Sequence, residues 1–235
     1  MRLPLFLLLL ALSLARAANP RLANLSTRAE AGTGANVLIA GFAIGPGAGK
    51  PVLIRAAGPA LGAFGLAGTL TDPVLTLFNA AGAAIAGNDN WLAADAATMT
   101  AVGAFAFSPG SRDAALVTTL APGAYTAQVT PATGSGQAGT GGTTGLVLVE
   151  VYEVGATGAK LVNLSTRAQV GTGASVMIPG LAIAAGTGPR RLLVRAAGAA
   201  SRAARVRTIR SRRVTALFTR QGGVKFMRGF WQHLD

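Results

Sequence analysis

The chain has no cysteine, so no disulfide framework can staple it and no thiolate is available for catalysis or soft-metal binding. Its one histidine, His233, stands almost at the C-terminal Asp235, which leaves Ser26, Ser108 and Ser111 without an imidazole base nearby in sequence. Charged residues are only 12% of the 235 positions and lysine is nearly absent. The carboxylates Glu30, Asp72, Asp89, Asp95, Asp113, Glu150 and Glu153 are scattered singly, so a glycosidase-type pair could arise only through folding. Phosphate loops also fail on inspection. Gly49-Lys50 is followed by Pro51 where a Ser or Thr must bind magnesium, and Ile44 stands where the first glycine belongs. Gly134-Ser135-Gly136-Gln137-Ala138-Gly139 spells a dinucleotide fingerprint but runs on into more Gly and Thr instead of a helix. These shortages argue against an enzyme and against a small-molecule substrate.

What is present is glycine, 32 residues of it, and a long internal echo. Asn24-Leu25-Ser26-Thr27-Arg28 returns as Asn163-Leu164-Ser165-Thr166-Arg167. The likeness extends from Ala23–Gly58 to Val162–Gly198 with one inserted residue, and roughly 22 of about 36 positions are identical. A spacing of about 139 residues implies tandem whole domains and not the short units of a solenoid.

The N-terminus has the form of an export signal: Arg2, the apolar run Leu3 to Leu14, and the small-x-small site Ala15-Arg16-Ala17. That run falls short of the about 20 apolar residues that span a bilayer. A signal peptide over residues 1–17 and a secreted or cell-surface destination are expected. The net charge of +13 is unevenly spread. Residues 18–198 carry only +3, whereas residues 199–235 carry +8, so the basicity belongs to the tail.

Between these ends the pattern is one of short apolar or alternating runs cut by Gly, Pro and Asn. Val37 to Ile44 and Val52 to Arg55 read as strands joined by a turn at Gly45–Gly49. Val74 to Phe78 is a third, with Asn79–Gly82 as its turn and Ala83 to Ala86 as the return. Asp113 to Leu120, Ala124 to Val129 and Thr143 to Val154 follow, the last two separated by a Gly/Thr/Ser loop from Pro131 to Gly142. Only Ala93 to Ala104 suggests a short helix. Many short strands with little helix predict an all-β protein, an antiparallel β-sandwich or jelly roll. Residues 18–154 then form one complete module and residues 155–159 a linker. Residues 160–198 are a partial second copy, whose second half cannot be complete within residues 199–235.

Thr71-Asp72-Pro73-Val74-Leu75-Thr76-Leu77-Phe78, the turn Asn88-Asp89-Asn90-Trp91, Ala121-Pro122-Gly123-Ala124-Tyr125-Thr126 and the closing Val147 to Tyr152 occur in that order. Over roughly residues 69–153 the chain thereby resembles the bacterial pre-peptidase C-terminal type of β-sandwich domain. The Asn-Leu-Ser-Thr-Arg segment looks like the front half of longer repeat modules of large secreted bacterial proteins. The resemblance implies a non-catalytic accessory or surface role, sometimes calcium-stabilised.

Asp89, with Asp72, Asn88, Asn90 and Asp95 near it in sequence, is the candidate calcium cluster, since calcium takes six to eight oxygens. The competing reading is an Asx-rich turn whose side chains cap their own backbone. Trp91 and Tyr125 are candidate sugar-stacking residues, against the plainer reading of Trp91 as a half-buried aromatic sealing the sandwich edge. Asn24 and Asn163 satisfy the glycosylation sequon, but their recurrence suggests a structural turn. Arg28 and Arg55 recur as Arg167 and Arg195, for which a buried or rim pairing with Glu30 or Glu150 is the ordinary reading and an anion site the sharper one. No cofactor other than calcium is implied.

Arg202, Arg205, Arg207, Arg210, Arg212 and Arg213 crowd the start of the tail, where the echo stops abruptly. Two readings stay open: a basic arm that binds polyanions by counterion release, or a shifted reading frame in GC-rich DNA. As protein, residues 201–219 are rich enough in Arg and Ala to predict a marginal helix. Val214 to Phe218 also echoes Val74 to Phe78. The expected role is a structural or binding module for adhesion, matrix or accessory duty, with surface polysaccharide or other matrix proteins as partners. A polyanion-binding tail and a carbohydrate-binding module are the alternatives, and nucleic acid is a partner only if the tail is genuine.

Overall fold

The computed structural model describes residues 21–133, 144–155, 158–184, 190–197, 204–209, 213–218 and 224–227. The signal segment 1–17, most of the 131–142 loop, and Arg202, Arg210 and Arg212 lie outside the described residues.

The chain is mostly antiparallel β-sheet, and the expected strands appear in their expected places. The chain opens with β1 (Leu22–Ala31), and the expected strands are β2 (Leu38–Ile44), β3 (Lys50–Ala57), β4 (Pro73–Asn79), β5 (Ala84–Asn88), β6 (Ala114–Leu120), β7 (Gly123–Pro131) and β8 (Gly145–Glu153). Among the described residues the one α-helix, α1 (Ala96–Ala101), falls within the expected short helical stretch. Further on come β9 (Leu161–Arg167), β10 (Ile178–Ile183), β11 (Arg190–Arg195), β12 (Ala204–Ile209), β13 (Arg213–Phe218) and β14 (Val224–Met227).

Hydrogen bonding orders the strands in two runs. One is β5-β4-β7-β2-β9; the other is β6-β3-β8-β1-β10-β13-β14. They join where Leu22 of β1 pairs with Leu161 of β9, which makes the sheet nearly barrel-like. β11 and β12 pair separately. In β2 the inward residues Leu38, Ala40, Phe42 and Ile44 alternate with half-exposed ones, the period-2 pattern of a strand with one covered face. With Leu25, Val52, Ile54, Leu75, Leu77, Val129, Val147, Val149 and Val151 they form the main core. β8 is buried at all nine positions. Its second face, with Leu148 and Tyr152, packs with Leu53 of β3 under Leu61, Met99 of α1 and Phe107. A strand covered on both faces reads as a continuous apolar run. Leu70 threads between glycines: a Cβ on Gly145 would lie 2.6 Å from its backbone N and Cα, and one on Gly58 would strike its carbonyl. Asn79 closes the β4–β5 turn by accepting from the Ala81 and Ala83 amides at 3.0 Å.

Two expectations are overturned. Asn24–Arg28 and its echo are strand, in the middle of β1 and along β9, not a structural turn. Their polar residues hide the strand from a hydropathy pattern, and pairing on neighbouring strands satisfies the backbone groups that a turn would have satisfied internally. The marginal helix expected over 201–219 is not what the described residues of that range form: 204–209 are β12 and 213–218 are β13. Val206, Thr208, Ile209, Val214 and Thr215 are β-branched. The edges of β11 and β10 offer them a ladder that Arg and Ala propensity cannot outweigh. Nor does β13 sit as the echo of β4: it pairs with β10, whereas β4 pairs with β7.

Candidate functional site

The echo segments dock onto each other. β1 pairs with β10 through Leu25↔Leu181, Ser26↔Gly180, Thr27↔Pro179 and Arg28↔Ile178. β2 pairs with β9 through Phe42↔Leu164, Gly41↔Ser165, Ala40↔Thr166 and Ile39↔Arg167. Each pair in one ladder is the other's counterpart, displaced by the same 139 residues that separate Thr27 from Thr166. The bonds at the ends obey the same rule: the Gly45 amide donates to the Lys160 carbonyl at 2.9 Å, and the Ala184 amide to the Arg21 carbonyl at 2.8 Å. Equivalent residues also meet one another. Leu22 pairs with Leu161, Glu30 bridges Gln169, and the hydroxyls of Thr27 and Thr166 lie 2.8 Å apart. Residues that meet their own counterparts lie on a local two-fold axis, so this surface is self-complementary.

The residue types follow from that geometry. Gly41 and Gly180 stand opposite Ser165 and Ser26, and a Cβ on Gly41 would strike the Ser165 hydroxyl. Glycine at 41 lets the strands close over the serine without turning its hydroxyl aside. Thr27 is fully buried on the axis, where its hydroxyl needs a partner, and the other threonine supplies it. Arg28 reaches across to the Ala174 carbonyl at 3.3 Å. Burial lowers the pKa of its guanidinium below the usual arginine value.

A buried ionic cluster fixes the crossing between the two segments. Glu153, the last residue of β8, pairs through Oε2 with Arg21 Nε at 2.7 Å and with Lys50 Nζ at 3.8 Å. Its Oε1 accepts from the Leu161 amide at 2.8 Å, at the start of β9, while Lys50 donates to the Gly155 carbonyl at 2.9 Å. Lys50 is 1% exposed, and burial pulls its pKa below the ordinary lysine value; the Glu153 carboxylate opposes that shift. An ammonium so enclosed is a structural cation and not a phosphate ligand.

A second cluster lies under α1. The Arg55 guanidinium pairs with Glu150 Oε2 through Nε at 3.1 Å and Nη2 at 2.8 Å. It sits between the rings of Phe105 and Phe107, 4.3 and 4.2 Å from their centroids. Tyr152 donates to Glu150 Oε1 at 2.7 Å. The expected Arg55–Glu150 pairing is therefore present. Asp113, also buried, accepts from the Gly58 and Ala60 amides and the Ser111 hydroxyl, which pins the 3-10 turn Pro59–Phe64.

The calcium candidates are placed as follows. Asp72 pairs with Arg112 at 2.6 Å. Asn88 donates to the Asn90 carbonyl and accepts from the Ala115 amide. Asp89 lies in the bend after β5, and Asp95 directly precedes α1. No group of three or more His, Cys, Asp or Glu side chains able to hold a metal ion occurs among the described residues. Trp91 is half-buried, edge-on to Phe107 at 6.0 Å, its amide bonded to the Asp113 carbonyl. Tyr125 stacks on Phe42 at 5.7 Å and donates to the Ala121 carbonyl. The two aromatics belong to different packing clusters. Arg205 and Arg207 fall in β12, and Arg213 opens β13.

Comparison with known proteins found no matching family model, no similar curated protein and no similar solved structure. The sequence reading overlooked the threonine pair and the Glu153 clamp. The signal for the first was available in the echo itself, because a surface that pairs with its own copy needs the same residues twice.

Proposed function

We propose that the chain is a non-catalytic structural and binding module of a secreted or cell-surface protein. In this reading residues 18–154 are a β-sandwich of the pre-peptidase C-terminal type and residues 160–198 a partial second copy. The function of the Asn-Leu-Ser-Thr-Arg segment is to join copy to copy. The observation that carries the reading is the self-complementary ladder β1·β10 and β2·β9, with Thr27 against Thr166. Cohesion between repeats is what an adhesion or matrix protein needs, and strand pairing supplies it without a ligand. The buried charged groups Arg55, Glu150, Lys50, Glu153 and Asp113 are engaged in internal bonds, which suits a scaffold.

The native chain has no cysteine, so a Thr27→Cys/Thr166→Cys double variant tests this cleanly. Expressed with its first residues intact and recovered from the medium or cell surface, it is expected to begin at Ala18 and to form one intramolecular disulfide on oxidation. Retention in the cytoplasm refutes the export half of the reading. Two persistent free thiols refute the copy-to-copy half.

A further inference from the structure

Among the described residues, the second segment has no strand in the place that β8 takes beside the first. β1 is paired on both sides, by β10 and by β8. Its counterpart β9 has β2 on one side, and on the other only the bridge Leu161↔Leu22 among the described residues. β8 also joins β1 to β3, whose counterpart is β11, and β11 pairs with β12 alone among the described residues. The same deficit appears independently in exposure. Leu53 is 0% exposed, whereas its counterpart Leu193 is 60% exposed; Arg55 is fully buried, whereas Arg195 is exposed. Ser26 is buried and Ser165 exposed. Val162, on β9, is 54% exposed as well.

We propose that the open edge of β9, with β11, is a docking site for an extended strand of a partner protein that carries the β8 pattern. The claim rests on the repeat reading above, because internal symmetry supplies both the register and the chemistry of the guest. In the first segment Glu150 faces Ser26 on one side and Arg55 on the other. The guest therefore presents a carboxylate between Ser165 and Arg195, flanked on both sides by apolar residues such as Val149 and Val151. Main-chain hydrogen bonds to β9 supply affinity, and the carboxylate–guanidinium pair with the covering of Leu193 sets specificity. An exposed strand edge is a template for such pairing.

The test is fluorescence anisotropy of the mature full chain with a labelled synthetic peptide of residues 144–154 bearing solubilising lysines. Saturable binding is expected, absent for a scrambled peptide. Affinity should fall by about tenfold or more when the peptide's Glu becomes Gln or the protein carries Arg195→Ala, the loss of one charge-assisted contact. Hydrogen exchange should slow over 161–167. The proposal is overturned by no saturable binding, by binding indifferent to Arg195→Ala, or by protection falling on β1 instead. The disulfide between positions 27 and 166 forms regardless of the peptide, so its presence separates failure of this site from failure of the repeat reading.

Discussion

Glu150→Ala is the most informative single perturbation of the fold. It removes the carboxylate that holds the Arg55 guanidinium at 2.8 and 3.1 Å, and Arg55 is 0% exposed between two phenyl rings. Water cannot replace the lost partner, and the bond from Arg55 to the Phe105 carbonyl does not neutralise the charge. Breaking a buried pair from one side costs about 3–5 kcal/mol. At about 2–4 °C per kcal/mol for a chain of this size, the melting temperature should fall by about 6–20 °C. Arg195→Met, the same motif position in the echo but exposed, should change stability by no more than about 0.5 kcal/mol. The double variant Arg55→Met/Glu150→Leu should recover most of the loss, because the desolvation cost of both charges goes with them. Calorimetry of the four proteins checks this. If Glu150→Ala and Arg195→Met melt alike, or the double variant is worse than Glu150→Ala, the account of the buried pair is wrong.

The Lys50 shift has a defined sign. Burial lowers its folded-state pKa below 10.5, so between those values the unfolded chain binds more protons and stability rises with pH. Lys50→Met should flatten that rise in urea midpoints measured from neutral pH to 10.5; parallel curves for the two proteins would contradict it. Gly145→Ala forces the Leu70 backbone to move and should cost about 1–3 kcal/mol. Gly62→Ala, with nothing within 4 Å of the new Cβ, should be nearly neutral in the same urea titration.

Much of the fold was legible. β2 to β7 were readable from alternation, short β-branched runs and turns such as Asn79–Gly82, whose chemistry is local. β8 was readable as an apolar run, and Glu150 was one of two carboxylates, with Glu30, that the recurring arginines could be expected to pair with. β1 and β9 were not, since Asn, Ser, Thr and Arg in succession resemble a turn until neighbouring strands claim their backbone. The tail misled in the same way: helix propensity is a property of residues taken alone, while β12 and β13 answer to unpaired edges elsewhere.

The amino-acid order alone settled the β-rich class, the lack of cysteine, the scarcity of catalytic bases and the existence of two matching segments. These depend on composition, short-range periodicity and identity at a distance. Only the tertiary structure decided that the matching segments face one another, that Thr27 meets Thr166, and that Arg55 is buried while Arg195 is exposed. The two arginines occupy the same motif, Arg-Ala-Ala-Gly, so nothing local distinguishes them. The difference is made by β8 and the cover beneath α1, which reach the first segment from far along the chain and which the second lacks among the described residues.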